Sequence, residues 1–301
     1  MASFLLSSQI QRPANGSLAS RLRRIVARAL ASWHLASLDA PTVAIVWSLA
    51  IAHSAATQLK PWFPLLLGCG TWTVYVGDRL LDARRAIKAN NLGVLRERHY
   101  FHWRHRPILV PIALLTAASS IGMIFGLMSL AARERNSLIA SAAIAYFSGV
   151  HASAPIPRWI ARIISKEFLV GILFAAGCSA PTMQILRFDA RALPVILSVV
   201  FLCMLAWLNC AAIASWENEA AVTSVPDFAL LLSLAGFGLA ITFASSFAVS
   251  SLLLTCAAIS ALLILVLHQR RSHVHPLTLR ALADLVLLVP AVLLIPGVTR
   301  S

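Results

Sequence analysis

Long apolar stretches, all but the last without a charged residue, recur along this chain of 301 residues. A helix that crosses a bilayer needs about 20 mostly apolar residues. Hydrophobic residues make up 59% of the chain and charged residues 12%, proportions that a water-facing globule of this size does not have. The apolar stretches cover residues 40–59, 61–77, 107–132, 136–157, 168–186, 192–216, 228–267 and 281–299. This pattern predicts an all-α fold, namely a polytopic membrane helical bundle.

The stretch 228–267 is twice as long as the others and predicts two spans, broken near Ser245–Ser246 or Ser250–Ser251. The bundle is therefore expected to have about nine transmembrane helices. Lys and Arg accumulate on the cytoplasmic side of membrane proteins. With the N-terminus inside, 19 of the 25 basic residues fall on that side. We therefore predict an integral protein of the cytoplasmic (inner) membrane, with a cytoplasmic N-terminus and the C-terminus outside. Nucleic-acid binding is not expected, because no soluble basic domain is present.

The first 35 residues form a separate basic segment. Residues 1–38 contain five arginines and no acid, and apolar residues such as Leu22, Ile25 and Trp33 recur there at helical spacing. This predicts an amphipathic helix lying on the membrane surface. An organellar transit peptide has a similar composition and is the alternative. Residues 36–301 are predicted to form one nine-span membrane domain, in contact with lipid.

A pair of carboxylates ends the second apolar stretch. Asp78 and Asp82 are four residues apart in a chain with eleven acidic residues, so both lie on one face of a helix. Mg²⁺ prefers oxygen ligands of this kind and completes its shell with water and phosphates. The alternative is a solvated helix end whose carboxylates pair with nearby arginines.

The predicted topology brings further polar residues to the same side of the membrane. Charges within or beside spans are rare and usually functional. The spans deliver Asn209, Glu217, Glu219, Lys166, Arg280 and Asp284 to the end that holds Asp78, Arg79 and Asp82. Acids facing each other across a bundle would hold divalent cations, and the basic residues would attract a polyanion such as a diphosphate.

In these features the chain resembles the UbiA superfamily of membrane prenyltransferases. Asp78 and Asp82 match the aspartates of the family motif Asn-x-x-x-Asp-x-x-x-Asp, although Val74 stands in the asparagine position. Glu217 stands where the family has its second acidic motif. Lys166 is similar to the basic residue that precedes the fifth span of the family.

The resemblance implies Mg²⁺-dependent transfer of a prenyl group from an allylic diphosphate to a hydrophobic acceptor, aromatic or lipid-like. It implies a metal site and catalytic centre formed by Asp78, Asp82 and Glu217. It implies that the diphosphate is bound by Arg79, Lys166 and Arg280. The pocket is expected to include Tyr75, Asn209, Glu219 and Asp284. The alternative is a non-catalytic relative that binds or moves a lipid-like molecule. The acceptor, the prenyl length and the oligomeric state do not follow from the sequence.

A second candidate site lies in the basic segment 96–106, which the sequence places in a loop between two spans. His99, His102 and His105 are three residues apart, a spacing that places neighbouring pairs on one helix face. Three histidines suit zinc or a redox metal, but four flanking arginines oppose cation binding. A basic, aromatic segment that contacts head groups or the diphosphate is the favoured interpretation.

Overall fold

A computed structural model of the chain describes residues 18–90, 95–151, 166–187, 189–217 and 224–296. Within these ranges the protein consists of helices and turns without a strand, so the all-α prediction is confirmed. The helices are α1 (Leu18–Leu35), α2 (Asp39–Ser54), α3 (Trp62–Lys88), α4 (Glu97–Arg104), α5 (Arg106–Leu127), α6 (Leu130–His151), α7 (Lys166–Ile185), α8 (Ala192–Glu217), α9 (Val225–Phe243), α10 (Ala248–Gln269) and α11 (Pro276–Leu285). A 3₁₀ helix, Val286–Leu294, continues α11, and a shorter one, Arg271–His273, precedes it.

Six helical segments of the described residues are long and apolar enough to cross a membrane. They are α5, α7, α8, α9, α10 and the segment Pro276–Leu294. Counting α1 and α2 as one span, bent by 87°, gives a seventh. The structure thus supports a polytopic membrane protein, whereas the number nine stays a prediction. The remaining predicted spans coincide with helices that are short, such as α2, or that carry several charges, such as α3.

The prediction that the stretch 228–267 folds as two helices is confirmed. α9 ends at Phe243 and α10 begins at Ala248, which places the break at the first of the two predicted serine pairs. The two helices pack closely against each other because small residues face the contact. A methyl group on Gly236 would come within 2.9 Å of Ala258 Cβ.

The buried core lies where α2, α8, α10 and the 3₁₀ helix Val286–Leu294 meet. Its large side chains include Trp47, Leu205 and Leu254, all fully buried. Trp47 Nε1 donates a hydrogen bond to the Leu287 carbonyl oxygen over 2.9 Å, so this indole fixes α2 against the 3₁₀ helix. Helix packing within a bilayer relies on such van der Waals contacts and buried hydrogen bonds, because lipid is as apolar as the helix surface.

Helix α5 lies on the periphery and presents an apolar surface outward. Ile108, Leu114, Leu115 and Phe125 are all more than half exposed. On its inner side α5 packs along α3, where the hydroxyl groups of Thr73 and Thr116 are hydrogen-bonded over 2.8 Å. An exposed apolar face of this extent fits a helix surrounded by lipid.

The predicted helix near the N-terminus is present as α1, and its apolar Leu22, Ile25 and Val26 are largely exposed. Its position on the membrane surface stays a prediction. A sharp turn joins α1 to α2, with Ser37 in the left-handed region of backbone space at φ 58°. This turn directs the end of α1 into the interior, where it contacts α4 and α11.

Candidate functional site

Polar side chains from six helices meet at one end of the bundle. The contributing segments are the end of α1, the start of α2, the C-terminal parts of α3 and α8, α4, and the middle and end of α11. This convergence was expected for α3, α8 and α11, and segment 96–106, which contains α4, was expected to contact head groups or the diphosphate. The participation of α1 and the start of α2 was not expected.

The carboxylate of Glu217 is surrounded by three guanidinium groups. Glu217 Oε1 contacts Arg280 Nη2 and lies 3.7 Å from Arg98 Nη1, and Glu217 Oε2 lies 3.8 Å from Arg96 Nε. The Glu217 side chain is 22% exposed, so these pairs are partly screened by solvent. We call Arg96, Arg98 and Arg280 the arginine cluster. Metal binding by Glu217, as the resemblance implies, would require these pairs to open.

Arg98 connects this cluster with the other predicted acids. Burial lowers the pKa of Arg98, and the neighbouring charge of Arg79 lowers it further. Nearby carboxylates raise the same pKa and keep the group charged; they belong to Glu217, Asp284 and Asp78. The charges of Asp78 and Glu217 therefore both act on the Arg98 guanidinium, although these acids belong to different helices.

Asp82 lies one turn beyond Asp78, near the outer side of the same end. Its side chain is 44% exposed, and its Oδ2 lies 3.9 Å from His99 Nε2. Burial lowers the pKa of His99 to about 4, with the charge of Arg98 as the next cause, so this histidine is neutral at pH 7. The contact between His99 and Asp82 is therefore not an ion pair at neutral pH.

Arg79, predicted to bind diphosphate, is instead buried beneath the turn between α1 and α2. Its Nη1 donates hydrogen bonds to the His34 carbonyl oxygen over 3.1 Å and to Ser37 Oγ over 2.6 Å. Its Nη2 lies 3.9 Å from Asp39 Oδ2. In this arrangement Arg79 fixes the turn and contributes charge to the site.

The three histidines of α4 serve separate contacts and do not form one group. His99 Nδ1 accepts a hydrogen bond from the Arg96 backbone N–H, and His105 Nδ1 contacts the Phe101 carbonyl oxygen. His102 is bound between Ser37 Oγ, 3.0 Å from Nε2, and the Arg98 carbonyl oxygen, 2.7 Å from Nδ1. Segment 96–106 is thus mostly a helix that packs against α3, rather than the loop that the sequence indicated.

Three of the four predicted pocket residues line one cavity between α2, α3, α7, α8 and α11. These are Tyr75, Asn209 and Asp284, and apolar side chains such as Phe174 complete the wall. The cavity of about 30 Å³ accommodates roughly two water molecules and not a prenyl chain. Glu219 lies outside the described residues. Lys166 begins α7 and is exposed.

Sequence reasoning missed a buried group beside this cavity, the His–Asp cluster of His34, Asp39 and Asp284. His34 Nδ1 lies 2.6 Å from Asp39 Oδ2 and 3.5 Å from Asp284 Oδ2. Asp284, an expected pocket residue, also faces His34 and accepts a hydrogen bond from Asn209 Nδ2 over 2.9 Å. A usable signal was Asp39 itself, since an acid directly before a long apolar stretch is costly unless it is paired.

Comparison of the chain with models of known protein families, with curated proteins and with solved structures found no match.

Proposed function

We propose that this protein is an integral-membrane prenyltransferase that binds the diphosphate of a prenyl diphosphate at the arginine cluster. The observation that carries the proposal is the convergence of Arg96, Arg98 and Arg280 at the end of the bundle that also holds Asp78. Guanidinium groups bind phosphate oxygens through paired, charge-assisted hydrogen bonds. Glu217 holds these groups together before the substrate arrives.

The arginine cluster and the cavity are adjacent along α11. Arg280 belongs to the cluster, and Asp284, one turn later on the same helix, lines the cavity. A diphosphate on Arg280 would thus have its first prenyl carbons near Tyr75 and Phe174. The cavity must widen to admit a prenyl chain, and separation of the peripheral helices by the substrate would provide the space.

In this proposal the arginines stabilise the charge that develops on the diphosphate as the allylic C–O bond breaks. The prenyl group then forms a bond to an aromatic or lipid-like acceptor, the acceptor loses a proton, and diphosphate leaves. Asp78 and Asp82 fit Mg²⁺, because two carboxylates one turn apart in the C-terminal half of α3, with Asp82 partly exposed, supply the oxygen ligands that this ion prefers. When bound there, Mg²⁺ would neutralise part of the diphosphate charge.

A second candidate function is binding or movement of a lipid-like molecule without catalysis. It is favoured by Glu217, whose carboxylate is already paired with three arginines instead of being directed toward a metal. The small cavity also fits a protein that has retained a polar head-group site without a preformed reaction chamber.

The deciding experiment measures Mg²⁺-dependent diphosphate release from geranyl, farnesyl and geranylgeranyl diphosphate by the purified protein, with and without aromatic and lipid acceptors. Asp78→Ala tests the metal site, and Asp189→Ala, an exposed acid in the connection between α7 and α8, is the matched control. We expect release by the wild type and the control, and none by Asp78→Ala. Binding of a prenyl diphosphate by the wild type in a parallel titration, without release, would support the second candidate. Neither binding nor release would contradict the prenyltransferase proposal.

A further inference from the structure

The three side chains of the His–Asp cluster are close enough to one another to bind a single metal ion. The ligand atoms of His34, Asp39 and Asp284 all lie within 4.8 Å of one another. Among the described residues this is the one group of three His, Cys, Asp or Glu side chains close enough to hold a single metal ion. It is independent of Asp78 and Asp82, the acids on which the proposed function depends.

The His34 side chain is 3% exposed, and its Nδ1 faces one carboxylate oxygen of Asp39 and one of Asp284. Nδ1 lies 2.6 Å from Asp39 Oδ2, the distance of a His–Asp pair with a proton between the two atoms, whereas Nε2 makes no hydrogen bond with the described residues. Metal binding requires an unprotonated imidazole nitrogen and ionised carboxylates. A metal ion that displaces the Nδ1 proton would accept a lone pair from each of the three ligand atoms.

Hydrogen bonds outside the cluster hold both carboxylates in the orientation that ligands need. Asp39 Oδ1 accepts a hydrogen bond from the Ala40 backbone N–H over 2.9 Å, which leaves Oδ2 directed at His34. Asp284 Oδ1 is held in the same way by Asn209, and its Oδ2 also faces His34. Outer groups of this kind typically orient the ligands of metal sites.

One imidazole nitrogen and two carboxylate oxygens form a mixed ligand set suited to first-row transition metals. The guanidinium of Arg79, 3.9 Å from Asp39 Oδ2, opposes binding of any cation. This opposition disfavours Mg²⁺ and Ca²⁺, which bind mainly through charge, more than zinc, manganese or iron, which also bind nitrogen strongly. Asp284 lines the small cavity, so water there can complete the coordination shell.

We propose that His34, Asp39 and Asp284 bind one divalent transition-metal ion, which joins α1, α2 and α11 beside the cavity. The ligands come from three helices, and Asp284 on α11 is distant in sequence from His34 and Asp39, so the ion would act as a cross-link at this end of the bundle. Its removal would loosen the turn that Ser37 and Arg79 hold in place.

The test is the metal content of the full-length protein, purified in detergent without a chelator. Mass spectrometry of the metals is carried out on the wild type, His34→Gln and Asp284→Asn, with His275→Gln and Asp189→Asn as controls on exposed residues. We expect about one transition-metal ion per chain in the wild type and both controls, and at least about tenfold less in the two ligand variants. Asp78→Ala should retain the ion, which separates this site from the proposed magnesium site.

A second measurement uses the wild type alone and so does not depend on the folding of any variant. The chain is stripped with a chelator and titrated with Co²⁺, whose visible absorption reports nitrogen and oxygen ligands in a closed site. Stoichiometric binding that zinc displaces and excess Mg²⁺ does not would support the proposal. A wild type that carries no transition metal and binds no Co²⁺ would overturn it, as would metal lost in Asp78→Ala but retained in His34→Gln.

Discussion

Ser37 connects three parts of the polar site through one hydroxyl group. It accepts a hydrogen bond from Arg79 Nη1 over 2.6 Å, so its own proton is available for His102 Nε2 at 3.0 Å. This assignment leaves the His102 proton on Nδ1, from which it is donated to the Arg98 carbonyl oxygen. The backbone of Ser37 is also strained for a residue with a Cβ, since its φ is 58°.

We therefore expect Ser37→Ala to destabilise the protein more than Ser37→Gly. Both variants lose the hydroxyl, which leaves buried polar groups of Arg79 and His102 without this partner, at about 1–3 kcal/mol. Glycine regains part of this loss, about 1 kcal/mol, because it adopts positive φ without strain. Thermal unfolding in detergent measures the stability of both variants, and the control is Ser272→Ala, which changes an exposed serine. Equal unfolding temperatures for the alanine and glycine variants would contradict the strain argument.

Glu217 has two possible roles that one substitution separates. If it positions the arginine cluster, Glu217→Gln removes a competitor for the guanidinium groups, and inorganic diphosphate should bind roughly tenfold more tightly, equivalent to about 1.4 kcal/mol. The same change should lower the unfolding temperature, because three like charges lose their partner. Calorimetric titration with Mg²⁺ present provides the measurement, with Glu134→Gln, an exposed acid, as control. Weaker diphosphate binding by Glu217→Gln would instead support metal ligation by Glu217.

Individual site residues were predictable where charge and apolar sequence meet. Asp78, Glu217 and Arg280 stand directly beside apolar stretches in the sequence, and their arrival at one end of the bundle follows from the order of these stretches alone. The pairing of His34 with Asp39 does not follow, because it depends on a turn whose central residue has positive φ. The sequence also did not predict that Arg79 is buried, because nothing in it distinguishes Arg79 from its exposed neighbours Arg84 and Arg85.

At the scale of elements, α4 links the arginine cluster to the start of α2, and its buried histidines make this link sensitive to acid. Burial lowers the pKa of both His99 and His102 to about 4, compared with 6.5 in an unfolded chain. Between pH 6.5 and about 4 the unfolded chain therefore binds more protons than the folded protein. Stability contributed by the neutral histidines is complete above pH 6.5 and is lost as the pH falls toward 4.

We expect the unfolding temperature of the wild type to fall more steeply between pH 6.5 and pH 4.5 than that of the double variant His99→Gln/His102→Gln. Carboxylates elsewhere titrate in both proteins. The difference between the two plots of unfolding temperature against pH therefore isolates the contribution of His99 and His102. The control is His273→Gln/His275→Gln, in which two exposed histidines change. Parallel curves for the wild type and the α4 variant would show that these histidines do not couple folding to pH.

Close contact between α7 and α8 depends on one glycine. A methyl group on Gly171 would come within 2.7 Å of the Cys203 carbonyl oxygen, a backbone atom that cannot move independently of its helix. We expect Gly171→Ala to destabilise the protein by about 1–3 kcal/mol. Gly177 lies on the same helix with its nearest neighbour 4.0 Å away, so Gly177→Ala should be neutral or stabilising by up to about 1 kcal/mol. Thermal unfolding of the two variants compares them directly, and an equal loss of stability in both would refute the argument.

Element boundaries were predictable to different degrees for physical reasons. The break between α9 and α10 lies at Ser245–Ser246, where polar residues interrupt a uniform apolar stretch. The last predicted span departs from one regular helix, since Pro290 lies inside the 3₁₀ helix Val286–Leu294 and removes a backbone donor. α4 was missed because eight residues rich in Arg and His show no apolar face, and tertiary contacts supply its stability.

At the scale of the whole molecule, the contacts divide the helix ends into two groups. One group surrounds Glu217 and His34. It consists of the connection between α3 and α5, the connection between α10 and α11, and the ends of α1 and α8. At the other end, Gln184 Nε2 donates a hydrogen bond to Asn136 Oδ1 over 2.8 Å, which joins the start of α6 to the end of α7. This division agrees with the two sides inferred from the positions of Lys and Arg.

The grouping does not by itself say which end faces the cytoplasm, and the orientation stays a prediction from the excess of basic residues. We expect the end with the arginine cluster to be cytoplasmic when the protein is expressed in a bacterial inner membrane. Arg271→Cys and Asp189→Cys place exposed thiols at the two ends, and wild-type cysteines give the background. A membrane-impermeant maleimide should label Asp189→Cys in intact spheroplasts and Arg271→Cys after lysis alone. The reverse result would place the diphosphate site on the outer side, away from any prenyl diphosphate supplied by the cytoplasm, and would count against the proposed function as well as the orientation.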